Sequence, residues 1–585
     1  MVRRTKWLGA AVVLCQPFFF GSCSDFSDYN EAPVDNIPSG NLTLWENIQQ
    51  NSQLSDFAQL VRKSGFDAEL SSPRSFTVWA PANGSFSMSE YENMPVEDLL
   101  NQLVKGHIAN YSHTASGSVD TRVHMLNNKS FTFAGNGQYS FGDLNVTKAN
   151  IPSNNGLIHM IDGVAHFFPN VYEFLHTCEG IDSLRNHFMR YELTTLDKEA
   201  SVKGPMVNGA QTYIDSVMVT SNELTRQLNA RLENEDSSYT MLLPTDKAFG
   251  SFYSRLKSCY NFITTTTVAD VDNYASATDT KTKYITIDPE YMADSLVRRA
   301  IVNNLVYSNN DIYNKWLIDK GEFTDTMRST TRNKFSNPKT ILAQTIGDPI
   351  EMSNGYVRVV DSLAFMPWEA YNDEIEVSPR NYLSSLFPAS AKANRNVSLA
   401  DSVAKRIFGE DKDVSNYRYM HITPGGDRAK PDFFINLPRV LSTTYNFYVV
   451  FLPAAWKELG RDTLPNWLNF ELSYCAANGK VAKYCFSKAY ADSLRSGGTL
   501  PKVPTSVSAT TAFTNDPTKC DTIFIGQFTF PVAYRGLGEY YPSIRVTSPI
   551  SVFSTQQLQS YTRDIRIAAI LMRPVEKDEY EAKNK

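Results

Sequence analysis

Ser75-Phe76-Thr77-Val78-Trp79-Ala80-Pro81-Ala82-Asn83-Gly84-Ser85-Phe86 reads as an apolar strand stopped by proline, then a turn that returns an aromatic to the core. Further on, Asn155-Gly156-Leu157-Ile158-His159-Met160-Ile161-Asp162-Gly163-Val164 opens on Asn-Gly, a strong turn former, and continues as a buried strand before Pro169. Upstream, Leu44, Ile48, Leu54, Phe57, Leu60 and Val61 fall on helical spacings broken by Gln49-Gln50-Asn51-Ser52, which predicts two short helices. Between the two quoted stretches, Val96, Leu99, Leu100 and Leu103 share a helical face that ends near Gly106. Phe131-Thr132-Phe133, Tyr139-Ser140-Phe141 and Leu144-Asn145-Val146 then alternate as short strands.

The same order recurs. Ser238-Tyr239-Thr240-Met241-Leu242-Leu243-Pro244-Thr245-Asp246-Lys247-Ala248-Phe249 repeats strand, proline, turn and aromatic, and Asn354-Gly355-Tyr356-Val357-Arg358-Val359-Val360-Asp361-Ser362-Leu363, with Pro367 beyond, repeats the second stretch. Helical Leu296–Leu305 and a polar run from Thr264 to Tyr284 lie between them, the latter an elaborated loop or extra strand.

The first pair of boxes resembles the fasciclin family, Phe76 to Phe86 matching its first box and Asn155 to Pro169 its second. Trp79 stands where an aromatic such as Phe is common, and His107 sits near the characteristic histidine between the boxes. The second pair resembles a divergent copy, with Val357-Arg358 in place of Ile158-His159. The resemblance implies helices wedged against a twisted sheet, and adhesion rather than catalysis. It gives structural roles to Phe76, Thr77, Ala80, Pro81, Phe86, His107, Asn155, Gly156, His159 and Asp162, and to Pro244, Thr245, Phe249, Asn354, Gly355 and Asp361. His107 is expected to pair with a backbone carbonyl, and Asp162 to accept backbone hydrogen bonds at a strand end.

Beyond Pro379 the boxes stop. A helix is expected over Ser398–Ile407, then strands at Phe433–Leu437, Tyr445–Leu452, Thr522–Phe530, Ser543–Val546 and Ile565–Leu571. A jelly-roll or immunoglobulin-like sandwich fits residues 415–574, and the last eleven residues read as a charged, frayed end. Trp467, Tyr534, Tyr540 and Tyr541 are the candidate glycan-stacking aromatics, with core or seam packing as their alternative role.

The expected architecture is therefore multidomain α+β: two fasciclin-like α/β wedge domains at 41–175 and 176–380, and a mainly β, sandwich-like domain at 381–585. Before them stand an export signal at 1–22 and a tether at 23–40. Arg3, Arg4 and Lys6 precede an apolar run from Trp7 to Phe20, too short to cross a bilayer, and Gly21-Ser22-Cys23 follows. This resembles a bacterial lipoprotein signal with Cys23 as the lipidated residue, although Phe20 stands where leucine is usual. Ser24, Asp25 and Asp28 then resemble the surface-export signal of Bacteroidetes lipoproteins. Removing residues 1–22 takes away three cations and no acid, moving the formal charge from −6 to −9.

With 42% apolar residues and no long Lys/Arg run, the 585-residue chain is globular and gives nothing to a nucleic-acid backbone. Six of the eight histidines fall between 107 and 176 at irregular spacings, and Cys178, Cys259, Cys475, Cys485 and Cys520 form no metal pattern, so neither metal, cofactor nor disulfide is assigned. Asp-Ser/Thr-apolar triplets resemble the O-glycosylation sequon of exported Bacteroidetes proteins at Ser183, Ser216, Ser295, Thr326, Ser362, Ser402, Thr463, Ser493 and Thr522. The expected function is a surface-anchored binding or scaffold lipoprotein at the outer membrane, contacting surface protein, matrix or glycan. Alternatives are an accessory of a TonB-dependent importer, alongside its transporter and capping lipoprotein, and a hydrolase with an unrecognised site.

Overall fold

The computed structural model describes residues 40–207, 209–263, 266–269, 284–317, 325–378, 385–386, 388–398, 418–452, 464–535 and 542–584. The chain divides into two compact units, the first ending at Phe168 and the second beginning at Pro169. The division precedes the expected limit at 175 because helix Val171–Thr177 buries Val171 and Leu175 in the core of the second unit.

In the first unit Thr43 and Glu46 form a capping box on α1 (Leu44–Gln50), and α2 (Ser55–Ser64) ends on Gly65 in the left-handed region. Leu44, Ile48, Leu54, Phe57 and Val61 pack against β1 (Phe76–Pro81), a strand buried along its whole length. Burial on both faces explains its continuous apolar run. The helical stretch from Val96 passes into a π-helical turn at Leu99–Val104, which sets Leu99 and Leu103 against Leu60. Then follow β2 (Ile108–Asn110), β3 (Ser118–His124), β4 (Ser130–Asn136), β5 (Gln138–Phe141), β6 (Leu144–Ser153) and β7 (Gly156–Ile161), giving the sheet order β2-β1-β7-β6-β5-β4-β3. The β1–β7 pair is parallel, in register from Phe76↔Gly156 to Pro81↔Ile161, and the β1–β2 pair is antiparallel.

The second unit opens with α3 (Val171–Thr177) and α4 (Asp182–Met189), followed by a long hairpin of β8 (Glu192–Val207) and β9 (Ala210–Asn222) that the sequence reading does not place. β10 (Tyr239–Pro244) leads straight into α5 (Asp246–Lys257), whose N-cap is Thr245; a helix therefore stands where a turn was expected. The polar run yields a ribbon of Thr266–Ala269 with Tyr284–Ile287. After α6 (Pro289–Val302) come β11 (Val306–Ser308), β12 (Ile350–Met352) and β13 (Gly355–Val360), in the sheet order β11-β10-β13-β12. The central pair is again parallel, from Tyr239↔Gly355 to Pro244↔Val360, with β11 antiparallel on the other side of β10.

The rest of this unit is β-rich: β14 (Ile375–Val377), β15 (Ser385–Leu386), β16 (Asp432–Asn436), β17 (Thr444–Phe451), β18 (Trp467–Cys475), β19 (Val481–Cys485), β20 (Asp521–Thr529), β21 (Ser543–Thr547) and β22 (Ile567–Pro574). They make two antiparallel sheets, β14-β22-β17-β20 and β15-β16-β21-β18-β19, with Phe513–Thr514 also pairing to β18. Phe447, Val449 and Ile570 of one sheet share a core with Phe433, Ile435, Phe470 and Ile544 of the other, which is a sandwich-like arrangement. β14 joins this region before the expected boundary at 380/381 because it pairs with β22.

The charged C-terminus is not frayed: it forms α7 (Val575–Lys583). Asp578 accepts hydrogen bonds from Asn446 Nδ2 (2.6 Å) and Tyr448 Oη (2.7 Å), and Tyr580 packs 5.2 Å from the Trp368 ring. Lys577, Asp578 and Glu581 are paired with the body of the unit, while Glu576, Glu579 and Lys583 face solvent. The signal, the tether up to residue 39, Cys23 and the helix expected over Ser398–Ile407 lie outside the described residues, apart from Ser398 itself at the end of a strand.

Candidate binding surfaces

Asn155 and Asn354 do the same work in different units. Asn155 Oδ1 accepts the Leu44 N–H (2.8 Å), while its Nδ2 donates to Leu70 O (2.9 Å) and Ser72 O (2.7 Å). Asn354 Oδ1 accepts the Val171 N–H (2.9 Å), and its Nδ2 donates to Leu232 O (2.8 Å) and Asn234 O (3.1 Å). Each buried amide thus ties the first residue of an opening helix to the turn before the central strand. The glycine that follows has no room for a side chain: a Cβ on Gly156 would lie 1.9 Å from Phe76 O, and one on Gly355 would lie 1.8 Å from Tyr239 O. Both have positive φ, which glycine tolerates.

Phe76, Thr77, Ala80, Pro81, Pro244 and Phe249 are buried and Thr245 is half-buried, while half-buried Phe86 packs on the satellite cluster around Leu99. The Thr77 hydroxyl donates to Tyr111 O (2.8 Å), and Thr240 at the matching position donates to Asn309 Oδ1 (2.7 Å). Asp162 accepts the Asn145 N–H and side-chain amide, both at 2.8 Å, and this bonding holds its carboxyl below the usual range. Asp361 is exposed, its backbone N–H on Gln344 O.

The histidines form no constellation. His107 Nδ1 donates to Leu103 O (2.8 Å) and Nε2 accepts the Ala165 N–H (3.0 Å), a neutral tautomer with both nitrogens satisfied. His159 lies 5.5 Å from the buried Trp79 ring, with Nε2 donating to His113 O (2.8 Å) and Nδ1 accepting the Asn150 N–H (3.3 Å). Burial lowers both imidazoles to about 4. Among the described residues no group of three or more His, Cys, Asp or Glu could hold a metal ion. Cys178, Cys259, Cys475, Cys485 and Cys520 are free thiols.

Of the glycan candidates, Tyr534 is a correction. It is 8% exposed within the sandwich core, its backbone paired both ways with Val440, so no ring face is available for stacking. Trp467 is half-buried and already stacks on Tyr561 at 4.9 Å, leaving a two-ring ledge beside solvent. Tyr540 and Tyr541 lie outside the described residues, as do Ser402 and Thr463. Ser362 and Thr522 are exposed; Ser183, Ser295, Thr326 and Ser493 are half-buried, and Ser216 lies on β9.

Among the described residues, depressions open on the second unit. One of about 650 Å³ sits at the foot of the β8–β9 hairpin among Tyr191, Leu193, Arg226, Arg231 and Glu233. Another, about 310 Å³, lies where the wedge meets the sandwich and brings together Arg299, Arg439 and Arg535. Sequence reasoning misses this trio because its members come from separate elements and carry no motif.

Residues 52–166 match the fasciclin domain family, a module of adhesion and scaffolding rather than of catalysis. No curated protein matches. Among solved structures, a FAS1 domain pair from the insect cell adhesion molecule fasciclin I is 14% identical, covering 54% of this chain and 98% of its own, at a TM-score of 0.19. The CBM22-1–GH10 modules of Clostridium thermocellum endo-1,4-β-D-xylanase 10B, complexed with xylohexaose, are 7% identical, with coverage of 34% and 28% and a TM-score of 0.19.

Proposed function

We propose that this is a surface-anchored, non-catalytic binding or scaffold lipoprotein, held at the outer membrane by lipid on Cys23. It carries a fasciclin domain, a second divergent fasciclin-like wedge and a β-sandwich. The observation that carries the reading is the fasciclin match at 52–166 together with the recurrence of its Asn-Gly staple at Asn354-Gly355, in the same strand register. Asn155, Asn354 and His107 are spent on backbone hydrogen bonds, which favours a module that presents surface over one that performs chemistry. Exposed Ser362 and Thr522 are the preferred O-glycosylation positions.

Intact-mass analysis of the mature chain, combined with protease treatment of living cells, tests the anchor. An unlipidated terminus and a protected chain would refute it. Binding of the soluble ectodomain to matrix protein or whole cells tests adhesion. A second reading, an accessory of a TonB-dependent nutrient importer that binds glycan, is favoured by the Trp467–Tyr561 ledge. Co-purification with an outer-membrane barrel and its capping lipoprotein, and glycan binding lost in Trp467→Ala, would select it.

A further inference from the structure

The 310 Å³ cleft of the second unit lies beside a hydrogen-bonded seam. Ser442 N–H donates to Cys259 O (2.8 Å) and Ser442 Oγ to Ser258 O (3.0 Å), while Ala533 N–H donates to Asn261 O (2.8 Å) and Asn261 Nδ2 to Pro531 O (2.8 Å). These four bonds join the end of α5 to two loops of the sandwich. On the other side the buried Tyr445 hydroxyl donates to Asn372 Oδ1 (2.7 Å). These bonds fix the chain on either side of Tyr260, Asp373, Arg439 and Arg535, which line the cleft, and its volume suits a small molecule.

Its charges are unevenly matched. Of the two carboxylates in the cleft, Asp373 is paired with Arg439, and Glu369 Oε1 takes the Ser336 N–H (3.1 Å) and hydroxyl (2.6 Å). Among the described residues the guanidinium groups of Arg299, from α6, and Arg535, from the sandwich, have no acceptor, although the chain has 62 acidic against 56 basic side chains. Partial burial lowers the Arg535 guanidinium from its ordinary value, and the neighbouring Arg439 and Arg299 charges act in the same direction. An anion between them would relieve that repulsion. A guanidinium meets carboxylate, phosphate or sulfate oxygens with two parallel N–H bonds.

We propose that this cleft is a binding site for a small oxyanion, with Arg299 and Arg535 as its recognition pair. The site goes beyond the scaffold reading and does not depend on the lipid anchor. Calorimetric titration of the full mature chain with inorganic sulfate, inorganic phosphate and glucuronate tests it, with chloride at matched ionic strength and glucose as controls. Saturable one-site binding of at least one of the three anions is expected; tetrahedral and planar oxyanions are told apart by which of them binds. Arg299→Gln and Arg535→Gln should each weaken binding about tenfold, as expected for a lost charge-assisted pair. Arg428→Gln, which removes the same charge from an exposed loop outside the cleft, should leave it unchanged. Arg299 and Arg535 sit on different elements, so loss of fold in one variant leaves the other as readout. Absence of saturable binding for all three anions, or equal weakening by Arg428→Gln, would overturn the proposal.

Discussion

A single buried amide, used once in each unit, shows how local sequence sets long-range order. Asn155 holds one donor and two acceptors from parts of the chain far upstream, so Asn155→Ala should cost roughly 3 kcal/mol by leaving those groups unpaired. Asn155→Asp should be no better, because a carboxylate keeps the Leu44 bond but faces the Leu70 and Ser72 carbonyls without a proton to offer. Urea unfolding compares the two; recovery of stability in the Asp variant would refute the stapling account. The Asn-Gly dipeptide is legible as a turn, but its partners are not, since nothing in the spacing connects Asn155 to Leu44. The histidines give a second test. Their imidazoles fall from an ordinary 6.5 to about 4, so the unfolded chain binds more protons between these values. Their contribution is complete above pH 6.5 and is lost progressively as pH falls to 4, by up to about 3 kcal/mol per ring. NMR titration should find both rings neutral at pH 5; ordinary titration near 6.5 would contradict their burial.

Elements were legible in proportion to how much of their pattern is local. The apolar run of β1 announces a strand, and the strands expected at Tyr445–Leu452 and Ile565–Leu571 overlap β17 and β22. The sequence reading does not place the β8–β9 hairpin although Asn208-Gly209 is a hairpin signal and Gly209 has φ +80°. Its strands carry polar residues on both faces, so no apolar stripe marked them. α7 escapes the sequence reading for a different reason: six of its nine residues are charged, and its partners are distant. Arg573 bonds to Glu374 (2.7 Å), Asp578 (2.6 Å) and Glu581 (2.7 Å), and Lys577 also reaches Glu374 (3.0 Å). A half-buried cation serving three carboxylates leaves them repelling one another when removed. Arg573→Ala should therefore destabilise the second unit by roughly 3 kcal/mol, more than an exposed ion pair would. Deleting residues 575–585 removes two of the carboxylates with the helix and should be milder in electrostatics, while uncovering Trp368. A melting-temperature loss smaller in Arg573→Ala than in an exposed-pair variant such as Arg226→Ala would refute this ranking.

At the scale of the whole molecule, the sequence boundaries at 175 and 380 follow changes of motif, whereas the cores follow hydrogen bonds and burial. α3 precedes its own boxes but packs with them, and β14 is claimed by the sandwich through β22. The α/β part of the second unit and the sandwich-like sheets share one unit because hydrogen bonds and buried Leu441 bridge their seam, and no periodicity encodes such a bridge. The Tyr445 hydroxyl is central to it, donating to Asn372 and accepting the Leu441 N–H (3.1 Å) where both partners are buried. Calorimetry should accordingly resolve two transitions, one for residues up to Phe168 and one for the wedge and sandwich unfolding together. Tyr445→Phe keeps the ring and its packing but strands the Asn372 oxygen and the Leu441 N–H, at a cost of about 2 kcal/mol. If the seam is what couples wedge and sandwich, this variant should lower and broaden the second transition and leave the first unchanged. A wild-type scan that already shows separate wedge and sandwich transitions would mean that the seam is too weak to make them one cooperative unit.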